Sequence, residues 1–257
     1  MSIHPTAVID STVKLGENVE IGPYSILGPG VELGAGCIVG PHVVINGPTK
    51  IGVENHIFQF ASIGEVPQDK KFHGENSRLE IGDRNHIREF VTINRGTEDG
   101  GGITRIGNDN WLMAYIHVAH DCIVGDNVIF SNGASLAGHV TVDDHAILGG
   151  FTLVHQFCHI GSHAFCGMAS AVSKDVPPYV IVNGNPAHPH GLNLEGLKRR
   201  GFSKDALKGL RDAYKLVYRQ GLTVDEAMPK LLQLAKSCAE ITPFIDFIKS
   251  STRGIIR

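Results

Sequence analysis

The chain has 257 residues, of which 42% are apolar and 19% charged, with a net charge of −3. It is long enough for a substantial core, holds no apolar run long enough to span a membrane, and opens on MSIHPTAVID, which lacks the charged-then-apolar form of a secretion signal. These features exclude stable membrane insertion and leave a cytoplasmic protein as the expectation.

From Ile3 onward an aliphatic side chain returns every sixth residue. The register runs Ile3, Ile9, Leu15, Ile21, Leu27, Leu33, Val39, Ile45, Ile51, Ile57 and Ile63, and resumes in phase at Ile81, Ile87 and Ile93. It then shifts by one residue and continues from Ile106 through Leu112, Val118, Val124, Phe130, Leu136, Val142, Leu148, Val154, Ile160 and Cys166 to Val172. In a chain that is 42% apolar, chance produces such agreement on the order of once in 10¹⁰ trials. Period six is neither helical nor simple strand alternation; it is the period of a parallel β-helix. Gly follows many of the aliphatics, as at Gly16, Gly22, Gly34 and Gly52, which suits corners of unusual φ and ψ. Small residues such as Ser25, Ala61, Cys122 and Ala134 stand four places after the aliphatic, as a narrow prism requires. Three faces per turn make a coil of 18 residues, so roughly ten coils stack at about 4.8 Å each. Cys37, Cys122, Cys158 and Cys166 occupy inward positions and read as buried small hydrophobes in a reducing compartment.

Two segments, 65–78 and 94–103, interrupt the rhythm without ending it, so they are loops expelled from a continuous coil. Loops projecting from a rigid scaffold commonly carry function. The repeat ends near Val172, and the Pro-rich stretch from Asp175 to Pro186 reads as its exit. Helical patterns follow: Ser203 caps one through Tyr218, Thr223 with Glu226 forms a capping box for a second through Ala235, and a third runs from Thr242 to Ser250. The expected division is a mainly β prism over 1–190 and an α-helical segment over 191–257. The charge divides similarly, with 10 Lys/Arg and 19 Asp/Glu in 1–190 against 13 and 7 in 191–257. A basic end segment suggests an anionic partner, and no recognised motif points to nucleic acid.

Seven of the 14 histidines lie between positions 117 and 163. With 18 residues per coil, Val118, Leu136 and Val154 stand above one another, and His120, His139 and His155 follow them by two, three and one residues. All three flank one edge, with His117 beside them. Histidines gathered at an edge suit general-base chemistry, because imidazole titrates near neutral pH; a metal site and a solvated polar edge remain alternatives. Asp121, next to His120, could orient it. No serine or cysteine nucleophile arrangement is visible, which favours direct transfer.

Hexads of this form resemble the left-handed parallel β-helix of the hexapeptide-repeat acyltransferases. The segments QFASIGEVPQDKKF, VTINRGT, HVAHDCIVG, LAGHV, LVHQFC, DVPPYV, NLEGLKRRGFS and STRGIIR together resemble the UDP-N-acetylglucosamine O-acyltransferases that begin lipid A biosynthesis. The resemblance implies transfer of an (R)-3-hydroxyacyl group from acyl carrier protein to the sugar 3-hydroxyl, in a homotrimer and without cofactor or metal. It makes His120 the base, with Asp121 beside it, and Gly138 the backbone oxyanion donor. His117, His139, His155, Gln156, Gln68, Asp69 and Lys71 become substrate contacts, and Asn193, Glu195, Arg199 and Arg200 nucleotide or carrier contacts. Met168 falls at the acyl-length ruler, where glycine admits a long chain, so a shorter, decanoyl-like chain is expected. Asn94 departs from the family's histidine. A different hexapeptide acyl- or acetyltransferase, a zinc carbonic-anhydrase-like enzyme on the same fold, and a non-enzymatic scaffold are the competing readings.

Overall fold

Two-residue strands recur at the hexad period, and each pairs in parallel with the strand one coil further on, as Ser2–Ile3 does with Glu20–Ile21. In the computed structural model, which describes residues 1–257, this pairing wraps a triangular prism. Its faces are sheets of eleven, nine and eight strands, here sheets I, II and III in the order the chain first visits them. Sheet I begins at Ser2–Ile3, sheet II at Val8–Ile9 and sheet III at Lys14–Leu15.

The second residue of a strand points inward and is buried, as at Leu27, Ile45, Ile63, Val118 and Leu136. The small positions lie inside as well, Ser25, Ala61, Ala134 and Ala164 among them. Burial pushes the Cys122 and Cys166 thiols up to about 12, so both stay protonated and inert. In the first coil, which has no neighbour on its outer side, Ile3 remains 41% exposed. The buried amides form a ladder: Asn55 Oδ1 accepts from the Asn85 side chain at 2.9 Å, and Asn85 Oδ1 from the Asn110 N–H at 2.9 Å.

The corner glycines serve a different purpose from the one expected. Positive φ falls three residues after the aliphatic, mostly on side-chain-bearing residues such as Tyr24, Phe60, Asp121 and His139. Gly34, one residue after its aliphatic, has ordinary φ; a Cβ there would come within 2.5 Å of the Gly52 backbone in the next coil. Close approach between coils, not backbone freedom, requires glycine there.

The Pro-rich exit is not the end of the prism. Val180–Asn183 joins sheet I in parallel beside Phe165–Cys166, and His188–Leu192 returns antiparallel to it. The expected boundary at 190 lies inside that last strand. Helices α1 (Leu194–Arg199), α2 (Lys204–Tyr218), α3 (Val224–Ala235) and α4 (Thr242–Ser250) follow. The Ser203 cap and the Thr223–Glu226 capping box form as the residues indicate; the short α1 was not anticipated. Buried Asp175 clips the helical segment to the prism, accepting from the His159 N–H at 2.9 Å and the Ser251 hydroxyl at 2.6 Å.

The outer faces differ in character. Sheet III presents Lys14, Glu32, Glu80 and Arg105, joined in ion pairs. Sheet I presents Ile38, His56, His86 and Trp111, and sheet II Val8, Ile26 and Leu153. The I–II corner carries an exposed ladder of stacked rings, Tyr24, His42, Phe60, Phe90 and Tyr115, at spacings of 5.2, 5.4, 5.1 and 4.8 Å.

Candidate active site

The site grows from the II–III corner, where the coil is interrupted. Ile63 pairs with Ile93 and Ile93 with Val118, registers of 30 and 25 residues where the coil otherwise repeats at 18. The surplus is expelled in two successive coils, as the first loop between Glu65 and Arg78 and the second between Asn94 and Ile103. Both segments agree with the interruptions in the repeat.

The next coils bring the histidines to this corner, because Val118, Leu136 and Val154 stack in sheet II. His120, Gly138 and Gln156 share one corner position; Asp121, His139 and Phe157 share the next, where φ is +60, +61 and +63°. Asp121 is 6% exposed. His120 Nδ1 lies 2.7 Å from Asp121 Oδ2. Burial pushes the Asp121 carboxyl up, and hydrogen bonds from His120 and Thr97 more than reverse this, so it is held below its ordinary value and is anionic. A carboxylate can only accept, so Nδ1 is the protonated nitrogen, and Nε2 carries the free lone pair of a base.

His120 lies over Gly138. A Cβ on Gly138 would sit 2.6 Å from His120 Cε1 and 2.8 Å from Nε2, so glycine is what lets the ring lie there. The Gly138 N–H has no acceptor within the chain. This follows from the corner: the backbone ladder leaves the N–H at this position unused, which is why proline stands at the equivalent Pro5, Pro23, Pro29 and Pro41. At the III–I corner the same N–H binds side-chain oxygens instead, as Val53 N–H does with Asp83 Oδ1 and Asp126 N–H with Asp144 Oδ1, both at 2.8 Å.

A cavity of about 740 Å³ opens over this corner. Gln68, Asp69 and Lys71 reach it from the first loop, and His120, His139 and Gln156 from the coils. His139 meets His120 edge-on at 5.2 Å and stacks on Phe157 at 4.5 Å. Burial pushes the His139 imidazole down, partly opposed by Asp121, so it is neutral at pH 7. His117 lies beneath, with Nδ1 2.7 Å from Thr92 Oγ1, and burial lowers it too. His155 is at the same edge but exposed, its Nδ1 on the Gln156 carbonyl at 3.1 Å. The three histidines share this edge as expected, while the ligand atoms within 4.8 Å of one another belong to His120, Asp121 and His139, and both Asp121 oxygens are already engaged.

Thr97 and Asp99 from the second loop also line the cavity, as does Phe157; residue spacing alone singled out none of them. Counting in 18s places Phe157 above His139, but nothing local marks Thr97. Asn94, where a family histidine was expected, is 3% exposed and donates from Nδ2 to the Val66 carbonyl at 2.9 Å, tying down the first loop.

The remaining expected residues lie elsewhere in the chain. Asn193 caps α1 and donates to the His163 carbonyl at 3.0 Å; Glu195 pairs with Lys198 on the same helix. With Arg199 and Arg200 they sit by the III–I corner, across the prism from His120. Met168 stands 73% exposed at the I–II corner.

The hexad prism and its matches to known proteins place the chain among the hexapeptide-repeat acyltransferases. The family pattern for bacterial transferase hexapeptides (six repeats) matches residues 12–47 and 103–138, and that for UDP N-acetylglucosamine O-acyltransferase, domain 2, matches 175–256. An acyl-(acyl-carrier-protein)–UDP-N-acetylglucosamine O-acyltransferase of Thiobacillus denitrificans is 58% identical over 256 residues, covering 100% of this chain and 99% of that protein. The crystal structure of the UDP-N-acetylglucosamine O-acyltransferase of Moraxella catarrhalis superposes with a TM-score of 0.98 at 50% identity, covering all of both chains. The Arabidopsis enzyme does so at 0.87 and 38%, covering 99% of this chain and 100% of that one. The chain belongs to the UDP-N-acetylglucosamine O-acyltransferase family, with its left-handed parallel β-helix and C-terminal helices.

Proposed function

We propose that the chain transfers an (R)-3-hydroxyacyl group from acyl carrier protein to the 3-hydroxyl of UDP-N-acetylglucosamine, with His120 as general base and no covalent enzyme intermediate. The observation that carries this reading is the His120–Asp121 pair lying over the free N–H of Gly138. His120 Nε2 takes the proton of the attacking 3-hydroxyl as its oxygen bonds to the thioester carbonyl carbon. Asp121 stabilises the imidazolium that forms. The carbonyl oxygen becomes an oxyanion within reach of the Gly138 N–H, the kind of donor that grips side-chain oxygens at the III–I corner. Collapse breaks the C–S bond, and the imidazolium returns its proton to the thiolate. The products are the 3-O-acyl sugar nucleotide and the free thiol of the carrier.

A homotrimer supplies what one chain separates. Sheets I and II expose apolar side chains such as Ile38, Trp111, Val8, Ile26 and Leu153 and meet at an aromatic edge, while sheet III is charged and solvated. Three prisms with that edge toward a common axis bring sheet II of each against sheet I of the next. The II–III corner with His120 then faces the neighbour's III–I corner with Asn193, Glu195, Arg199 and Arg200, where guanidinium groups suit a diphosphate. Met168, near the axis, closes the deep end of the cleft and favours a decanoyl-like chain. The exposed basic stripe of α2, Lys204, Lys208, Arg211 and Lys215, faces outward for the carrier protein.

Mass spectrometry of products from UDP-N-acetylglucosamine and a panel of 3-hydroxyacyl carrier proteins tests this reading. The expected product is the mono-acylated sugar nucleotide, strongest with the ten-carbon chain, with Met168→Gly moving the preference to longer chains. No acylated sugar nucleotide with any carrier would overturn the transferase assignment, and an unmoved preference in Met168→Gly would remove the ruler.

A further inference from the structure

Asp121 is held by more than His120. Its Oδ1 accepts the Thr97 N–H at 2.8 Å and its Oδ2 the Thr97 hydroxyl at 2.6 Å. The Thr97 oxygen, having given its one proton to Asp121, accepts from the Gly100 N–H at 3.3 Å. Thr97 belongs to the second expelled loop, is 4% exposed, and caps the short turn Glu98–Gly100. That turn presses on the carboxylate so closely that a Cβ on Gly100 would overlap it. From the other side, the Asp121 N–H donates to Thr104 Oγ1 at 2.8 Å.

We infer that Thr97 is a positioning residue for the transfer: acting through Asp121, it fixes the orientation and tautomer of His120. Gly100 N–H, Thr97 O–H, Asp121 and His120 form one hydrogen-bonded relay, whose outer half is built by the expelled loop. Oδ2 accepts from both Thr97 Oγ1 and His120 Nδ1, at 2.6 and 2.7 Å. The hydroxyl therefore sets the direction of the lone pair left for Nδ1. Without it a buried carboxylate keeps an unfilled acceptor site and is free to turn toward another donor, which releases the imidazole. The second loop thus does more than wall the cavity; it completes the base. This inference rests on the general-base reading above.

Thr97→Val removes the hydroxyl and keeps the branched shape and the N–H; Thr97→Ser keeps the hydroxyl. In steady state, Thr97→Val is expected to lower kcat about tenfold or more with KM for UDP-N-acetylglucosamine within about twofold, and Thr97→Ser to stay within about threefold of wild type. In an Asp121→Ala background, Thr97→Val should have no further effect, since its action passes through that carboxylate. In ¹⁵N-histidine spectra the single Nδ1-protonated signal of His120 should persist in wild type and Thr97→Ser and be lost in Thr97→Val. If the valine variant does not fold, Thr97→Ala, which also removes the hydroxyl and keeps the N–H, takes its place with the same expected loss of kcat, and an unchanged kcat there overturns the relay likewise. An unchanged kcat in Thr97→Val, an equal loss in Thr97→Ser, or an equal loss in the Asp121→Ala background overturns the relay. An inactive His120→Ala beside an unaffected Thr97→Val refutes the relay alone, whereas an active His120→Ala removes the general-base reading itself.

Discussion

Gly138 is glycine for the sake of its neighbour. Its Cβ would meet His120 at 2.6 Å, while its φ is not among the positive ones, so alanine fits the backbone but displaces the imidazole. Gly138→Ala should lower kcat about a hundredfold while leaving the unfolding temperature nearly unchanged; normal turnover would contradict the placement of His120. His163, at the III–I corner, makes a separate prediction. It stacks on His145 at 4.8 Å, its Nδ1 is buried without a partner, and burial, with His145 and Arg200 adding, pushes it down to about 4. It stays neutral while the unfolded chain takes up a proton, so its contribution to stability is present above about 6.5 and is lost as pH falls toward about 4. Urea unfolding of wild type and His163→Phe at pH 7 and pH 5 should show wild type losing more stability, by about 1 kcal/mol per pH unit; equal losses would refute this. His120 and His139 were legible because the 18-residue period runs unbroken through Val118, Leu136 and Val154, whereas Gly138 was marked only by the family resemblance. Thr97 was not legible, because a hydrogen bond from an expelled loop leaves no trace in spacing. Counting showed that His155 belongs to this edge, but not that its side chain turns out to solvent.

Helix α2 buries Leu207, Leu210, Ala213, Tyr214 and Val217 and turns Lys204, Lys208, Arg211 and Lys215 outward. Lys215 pairs with Asp212 at 3.0 Å, and the remaining cations form a net positive stripe that steers an anionic partner and is screened by salt. Reversing Lys208 and Arg211 to glutamate should raise KM for the acylated carrier about tenfold at low ionic strength, with little change in kcat and a smaller effect in high salt. An equal effect on KM for the sugar nucleotide would contradict docking on this helix. The helices were readable from their caps and apolar stripes, since Ser203 and the Thr223–Glu226 box are local signals. The hairpin of Val180–Asn183 and His188–Leu192 was hidden by its prolines, which read as a terminus although the last strand lies at the sheet's edge, where proline is tolerated. The corner glycines were located correctly and explained wrongly. Close approach between coils is a property of residues 18 apart, which no single corner displays.

The prism has one charged face and two that expose apolar side chains, and the residues assigned to the sugar nucleotide lie at two different corners. The proposed trimer accounts for both. The native mass should be about three times 27.7 kDa. Mixed assemblies of inactive His120→Ala chains and inactive Arg199→Ala, Arg200→Ala chains should regain activity, because one intact site can be built from the two kinds of chain. A monomeric active enzyme, or mixtures that stay inactive, would contradict sites shared between neighbours. The repeat foretold the prism, but not which faces meet, since that depends on outward residues the hexad leaves free. The central claim, that His120 is the base for acyl transfer to the sugar 3-hydroxyl, is tested most directly by kcat of His120→Ala at saturating substrates beside its calorimetric affinity for UDP-N-acetylglucosamine. General-base catalysis predicts kcat lower by about a thousandfold with affinity within about threefold of wild type; near-normal turnover would contradict it.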